Sequence, residues 1–195
     1  MAYVRTVTST NSLRSAADGF RDVVARIGDD QWRLDTPCDG WTVRQLVGHV
    51  AAGSQMAATL AEGGDRQTAI AVLGVDHLGD EPVAAIDRAL QRQQVAFDRP
   101  DIDGLIFQHP AGDMPGLQVL LFRLTDLLVH QWDLARAIGA DETLDPELVD
   151  EVWSGIAPIV PMMANSGVFG SGPSGSLTDD ASAQSRLLDA MGRRP

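Results

Sequence analysis

The sequence contains no lysine and a single cysteine, Cys38. One thiol excludes an intrachain disulfide framework and any cysteine-rich metal knuckle. All the basic residues are arginines, and together with abundant alanine, glycine and aspartate this reads as the coding bias of a high-GC bacterium rather than as chemistry. No run reaches the roughly 18 uninterrupted apolar residues that a membrane span needs. The opening "MAYVRTVTSTNSLRSAADGF" lacks the apolar stretch of a secretory signal, so a cytoplasmic protein without a membrane partner is expected. Positive charge is scarce: 15 basic residues against 27 acidic ones leave a net charge of −12, which repels phosphate backbones and argues against nucleic acid as a partner.

What remains is an ordinary soluble composition, 44% hydrophobic over 195 residues, enough for one core and one domain covering 1–195. Amphipathic segments punctuated by Pro and Gly dominate, without internal repeats, which predicts an all-α protein. A first helix is expected from Ser12 to Ile27, with Leu13, Ala16, Phe20, Val23, Val24 and Ile27 at three-and-four spacing. A second follows "DGWTVRQLVGHV", where Thr42 and Gln45 fit a capping box and Trp41 with Leu46 a hydrophobic staple; it ends near Gly63. A third spans Pro82 to Phe97, opened by proline. The Gly/Pro-rich stretch around 103–114 suits a short extended segment or hairpin. A fourth helix starts after Pro115, runs to about Ile138 and stops at Gly139. A fifth starts at Asp145 or Pro146 and is ended by Pro158 or Pro161. A long loop, "ANSGVFGSGPSGSLTDDA", precedes a short closing helix in "SAQSRLLDAMG".

The chemistry concentrates in "LTDLLVHQWDLARAIG". At 100° per residue Arg123, Asp126, His130 and Asp133 share one face, among Val119, Phe122, Val129 and Ala137, so a polar stripe is set into the face expected to turn inward. A buried carboxylate is costly unless it is paired or binds a metal. Asp126 and His130 stand one helical turn apart and can converge on one ion, and His49, within the apolar stripe Leu46, Ala52, Gly53, Met56 and Leu60, offers a third ligand from the second helix. Three N/O ligands with a position left open is the pattern of catalytic rather than structural zinc. Blander readings compete at each residue: a hydrogen-bonded core histidine at His49, and a structural Asp126–His130–Arg123 network. Asp133 is expected to orient a histidine or to pair with Arg136 or an arginine of another helix. Trp41 and Trp132 read as packing residues, and His77 and His109 as exposed loop histidines. Cys38, in a turn before a helix, is either an activated thiol or a half-buried inert one.

"TPCDGWTVRQLVGHV", then "TDLLVHQWDLARAIG" and the tail "RLLDAMGRRP" resemble the actinobacterial branch of the DinB-like superfamily, close to the metal-binding domain of mycothiol-dependent maleylpyruvate isomerase. The resemblance covers the chain from about Asn11 onward and puts the family's ligands on His49, Asp126 and His130. It implies a four-helix bundle with crossed-over connectivity plus an extra C-terminal helix, a zinc or nickel ion, and a low-molecular-weight thiol such as mycothiol as cosubstrate. Asp126 stands where the isomerase has glutamate, which shortens the carboxylate's reach. The isomerase also has a further C-terminal domain contributing to its site, for which these residues leave no room, so maleylpyruvate isomerisation itself is not expected.

The function expected is a metal-dependent thiol (mycothiol) S-transferase acting on a small-molecule electrophile. Arg123, or Arg88 or Arg92 of the third predicted helix, would hold a substrate carboxylate. The alternatives are a metal-dependent hydrolase with Asp133 or a neighbour assisting as base, or a non-catalytic binder of a metal or small molecule. The apolar faces of the bundle also suit a homodimer.

Overall fold

The computed structural model describes residues 9–161, 172–178 and 180–195. The first helix, α1, spans Thr10–Val24; Ser9 accepts from the Ser12 amide as N-cap, and Leu13, Ala16, Ala17, Phe20, Val23 and Val24 form its buried face. It ends earlier than its apolar spacing predicts, because the Arg26 and Ile27 amides switch to carbonyls three residues back, at Val23 and Val24.

Helix α2, Val43–Ala61, begins with the expected capping box: the Thr42 side chain accepts from the Gln45 amide while the Gln45 side chain accepts from the Thr42 amide. The preceding turn is closed on itself. The Thr36 amide donates to the Trp41 carbonyl, that of Val43 to Leu34, and that of Trp41 to Cys38, while Gly40 takes a left-handed φ of 76°. Cys38 and Trp41 are thereby held at the mouth of α2.

An additional short helix, α3 (Arg66–Leu73), occupies a stretch where none is expected from the sequence. Asp65 caps it through the Thr68 amide, and only Ala69 of its eight residues is buried. With one inward residue it carries no apolar periodicity to read. Helix α4 spans Pro82–Phe97 as expected. Strands β1 (Ile106–His109) and β2 (Gly112–Pro115) form an antiparallel hairpin with Phe107 opposite Met114. Helix α5 spans Gly116–Ile138 and is closed by Gly139 at φ 70°. Helix α6, Pro146–Ile156, is capped by Asp145 and followed by a 3-10 turn over Ala157–Ile159. Half of the long loop expected after it lies outside the described residues. Helix α7, Ala183–Ala190, is capped by Ser182.

Helix α1 packs against α4 and α5, and α2 packs against the same two. The consecutive pairs α1/α2 and α4/α5 therefore sit on diagonals, which is the crossed-over four-helix bundle the resemblance implies. Helix α6 lies on α5 and carries α7. Phe20, Leu46, Phe97, Leu120, Leu124, Leu127, Leu128 and Trp132 are fully buried between the four. No described helix is long and apolar enough to cross a membrane.

Candidate metal centre

Adjacent helices α2 and α5 bring three polar side chains together. Asp126 Oδ1 lies 3.2 Å from His49 Nε2 and 3.5 Å from His130 Nε2, and one ligand atom from each residue falls within 4.8 Å of the others. The two imidazole rings meet edge to face at 5.1 Å, and the Trp41 indole covers them at 4.8 Å from His49 and 6.1 Å from His130. Trp41 thus walls the site as well as packing against the core.

The three residues differ in depth. His130 is buried, Asp126 is half-buried, and the His49 side chain is 41% exposed. The expectation that His49 lies inside the apolar face of α2 is corrected: it stands at the rim, because Leu46, Val50 and Ala57 take the inward positions. Where the sequence allowed a core histidine, the structure gives a solvent-facing one aimed at a carboxylate.

Arg123 fixes the other side of Asp126. Its Nη1 donates to Asp126 Oδ2 at 3.0 Å, Nε to Gln93 at 2.9 Å, and Nη2 to Ser54 Oγ at 3.2 Å and the Val50 carbonyl at 3.4 Å. The guanidinium is buried and engaged in the bundle, so it positions Asp126 rather than reaching for a substrate carboxylate as the sequence suggested. Arg92 is occupied on the flank of α2 with Glu62, Gln55 and Thr59, and Arg88 is exposed.

Gly53 explains how an arginine fits there. A Cβ at this position would lie 3.0 Å from Arg123 Cζ and overlap Nη1. An exposed helical Gly→Ala change gains about 1 kcal/mol in propensity. Here the methyl must displace a guanidinium pinned by Gln93, Ser54 and Asp126, and overpacking costs about 1–3 kcal/mol. Gly53→Ala is expected to lower stability in urea unfolding, with a gain counting against this packing.

Behind His130 lies a second cluster. Asp133 Oδ2 accepts from His130 Nδ1 at 2.9 Å, from Cys38 Sγ at 3.2 Å and from Arg193 Nη2 at 2.6 Å, and Oδ1 accepts from Arg193 Nε at 3.1 Å. Arg193 Nη2 also reaches Cys38 Sγ at 3.2 Å. Asp133 is fully buried with both oxygens engaged, so it orients His130 as expected and has no open path to act as a base on a substrate. Its arginine partner comes from the C-terminal tail. Arg136 instead lies over the Trp132 ring and pairs with Glu142.

Cys38 and Arg193 are the members of this cluster that the sequence did not assign. The tail's "GRRP" offers a signal in retrospect, since a glycine ending a helix sends the next residue back across it. The remaining histidines are half-buried rather than exposed. His77 Nε2 meets the Val72 carbonyl at 2.8 Å, and His109 Nδ1 accepts from the Ala111 amide.

Electrostatics bind the group together. Burial opposes ionisation of Asp126, but Arg123, His130 and His49 together outweigh it and hold the carboxyl well below its ordinary 3.8. Burial also disfavours charge on His130, yet Asp126, Asp133 and Cys38 raise it well above its ordinary 6.5. Asp133 is lowered, burial being outweighed by His130 and Arg193. In metal-free protein the His130 contribution to stability is complete below its unfolded value near 6.5 and is lost as pH rises through the elevated folded value. The Asp126 and Asp133 contributions are present above about 3.8 and are lost as pH falls through their lowered values. Metal-free stability is therefore expected to peak in weak acid and to decline towards alkaline pH in thermal melts, and a monotonic rise to pH 9 would contradict the charged pairing.

The sequence profile of the mycothiol maleylpyruvate isomerase N-terminal domain family matches residues 13–135. Two uncharacterized proteins of Mycobacterium tuberculosis, from strains CDC 1551 / Oshkosh and ATCC 25618 / H37Rv, are each 34% identical over 136 residues, covering 70% of this chain and 70% of the relative. Two crystal structures of mycothiol-dependent maleylpyruvate isomerase, one of them a histidine-to-alanine mutant, share the fold at 14% identity. The mutant aligns with a TM-score of 0.63 over 84% of this chain and 72% of that one. The other aligns at 0.59 over 87% and 76%.

Proposed function

Because this chain belongs to the mycothiol maleylpyruvate isomerase N-terminal domain family, we propose that it is a metal-dependent enzyme that transfers a low-molecular-weight thiol such as mycothiol to a small electrophile, with His49, Asp126 and His130 as the ligands of a divalent ion. The observation that carries this reading is the convergence of two imidazole Nε2 atoms on one carboxylate oxygen, with His49 at the solvent edge. The donor set fits zinc or nickel: two nitrogens and one oxygen, borderline in softness, from two helices. When bound, such an ion supplies the positive charge that favours the thiolate form of a thiol at neutral pH.

The protein's own groups do the rest. Arg123 keeps Asp126 Oδ2 so that Oδ1 faces the histidines. Asp133 engages His130 Nδ1 and leaves Nε2 towards Asp126. Trp41 excludes water from one side of the rings, which strengthens the electrostatics there, and the exposed edge at His49 is where thiol and electrophile enter. For the hydrolytic alternative Asp133 is a poor base, since it is sealed behind His130.

Elemental analysis of protein purified without added metal, followed by assays with an electrophile in the presence and absence of thiol, tests the reading. One ion per chain and thiol-dependent turnover are expected. Turnover without thiol favours hydrolysis, and tight metal binding without turnover favours a non-catalytic binder; either result overturns the transferase reading.

A further inference from the structure

We propose that Arg193, in the C-terminal tail, is a positioning residue for this centre, and that docking of the tail and occupancy of the metal site are mutually dependent. The inference rests on the reading of His49, Asp126 and His130 as metal ligands. Its starting point is that Arg193 lies beyond the matched family segment, residues 13–135, yet reaches Asp133 directly behind His130.

The tail is delivered by its own backbone. After α7 the Arg193 amide donates to the Leu188 carbonyl at 2.9 Å and Gly192 takes φ 79°, a glycine-closed helix end that reverses the chain. Arg193 Nη1 then donates to the Met191 carbonyl at 2.7 Å, which locks the side chain against its own turn. Nε and Nη2 grip both oxygens of Asp133, one of them also bound by His130 Nδ1. A forked guanidinium fixes the plane of a carboxylate as a point charge cannot. The plane of Asp133 in turn fixes the imidazole, and so the direction of His130 Nε2. The contact is sheltered, with side-chain exposures of 12% for Arg193 and 0% for Asp133, so water is a poor substitute for the arginine.

Partners that orient ligating histidines typically carry 10–100-fold of metal affinity. Coupling between two sites is reciprocal, so an ion on His130 must hold the tail more firmly by the same factor.

The test uses the full chain, stripped of metal and titrated with zinc against a competing chelator, in wild type, Arg193→Gln, Arg193→Lys and the control Arg194→Gln. Arg194 belongs to the same tail but bonds Asp189 and the Gly172 carbonyl instead of Asp133. Arg193→Gln is expected to weaken zinc about 10–100-fold, Arg193→Lys to fall between it and wild type, and Arg194→Gln to stay within about threefold. Zinc should slow amide hydrogen exchange over residues 187–193 in wild type and not in Arg193→Gln, a response that a merely structural tail would not show. Unchanged zinc affinity in Arg193→Gln, while His49→Ala and His130→Ala lose the metal, overturns the role of the tail and leaves the metal site standing. Wild type that binds no zinc, or binding indifferent to both histidine variants, overturns the metal site and the tail proposal with it. Should Arg193→Gln fail to fold in melts, folded Arg193→Lys decides: weakened binding supports the coupling, and wild-type affinity refutes it.

Discussion

His130→Ala is expected to abolish stoichiometric zinc binding and to destabilise the metal-free protein, whereas His49→Ala should lose the metal with little effect on the fold. Four-ligand zinc sites bind with about 10–16 kcal/mol, so each ligand carries roughly 2.5–4 kcal/mol and its removal weakens binding on the order of a hundredfold to a thousandfold. That loss is common to both variants. What separates them is burial. His130 sits between Asp126 and Asp133, and deleting the buried cation strips a charged partner from two carboxylates at once, at a cost of about 3–5 kcal/mol. His49 is largely exposed and water replaces its contact with Asp126. Calorimetric zinc titration alongside thermal melts measures both quantities. Equal melting temperatures for the two metal-free variants would contradict the buried network, and retained zinc binding in His49→Ala would remove it from the ligand set.

Arg123→Met should cost about 3–5 kcal/mol of stability, since it leaves Asp126 without its strongest partner and strands the acceptors of Gln93 and Ser54. Against a typical total of 5–15 kcal/mol this is a large fraction. Methionine keeps much of the volume, so the loss is polar rather than a cavity. Combining Arg123→Met with Asp126→Asn should cost less than the sum of the single changes, because the second change removes the charge that the first left unpaired. Urea unfolding of the four proteins completes the cycle. Additive effects would mean that Arg123 and Asp126 act independently, and a raised KM at unchanged stability would return Arg123 to the role of substrate clamp.

The part of this site that lies on one helix was readable in advance. Asp126, His130, Asp133 and Arg123 share a stripe because helical periodicity dictates it, and His49 follows from a well-marked capping box that fixes the start of α2. The depth of His49 was not readable, because α2 is apolar on nearly every side and the spacing does not say which side faces its neighbours. Helix α3 was missed because it buries one residue. Cys38 and Arg193 were beyond local pattern altogether: they reach Asp133 across 95 and 60 residues of sequence, the first distance closed by the packing of α2 on α5 and the second by that of α7 on α6 and of α6 on α5. Crossed-over connectivity was likewise supplied by resemblance rather than by periodicity, which is blind to diagonals.

If His49, Asp126 and His130 hold an ion as proposed, their unequal depth also sets the order in which they would let go. Asp126 and His130 are clamped from behind by Arg123 and Asp133, while His49 stands at the solvent edge, where side chains change rotamer in picoseconds to nanoseconds. On the metal-centre reading, His49 is a latch: the last ligand to engage an arriving ion and the first to release a departing one. Chelators would then compete with a single swinging imidazole rather than with the whole bundle, and a centre could exchange its ion quickly without any helix having to move.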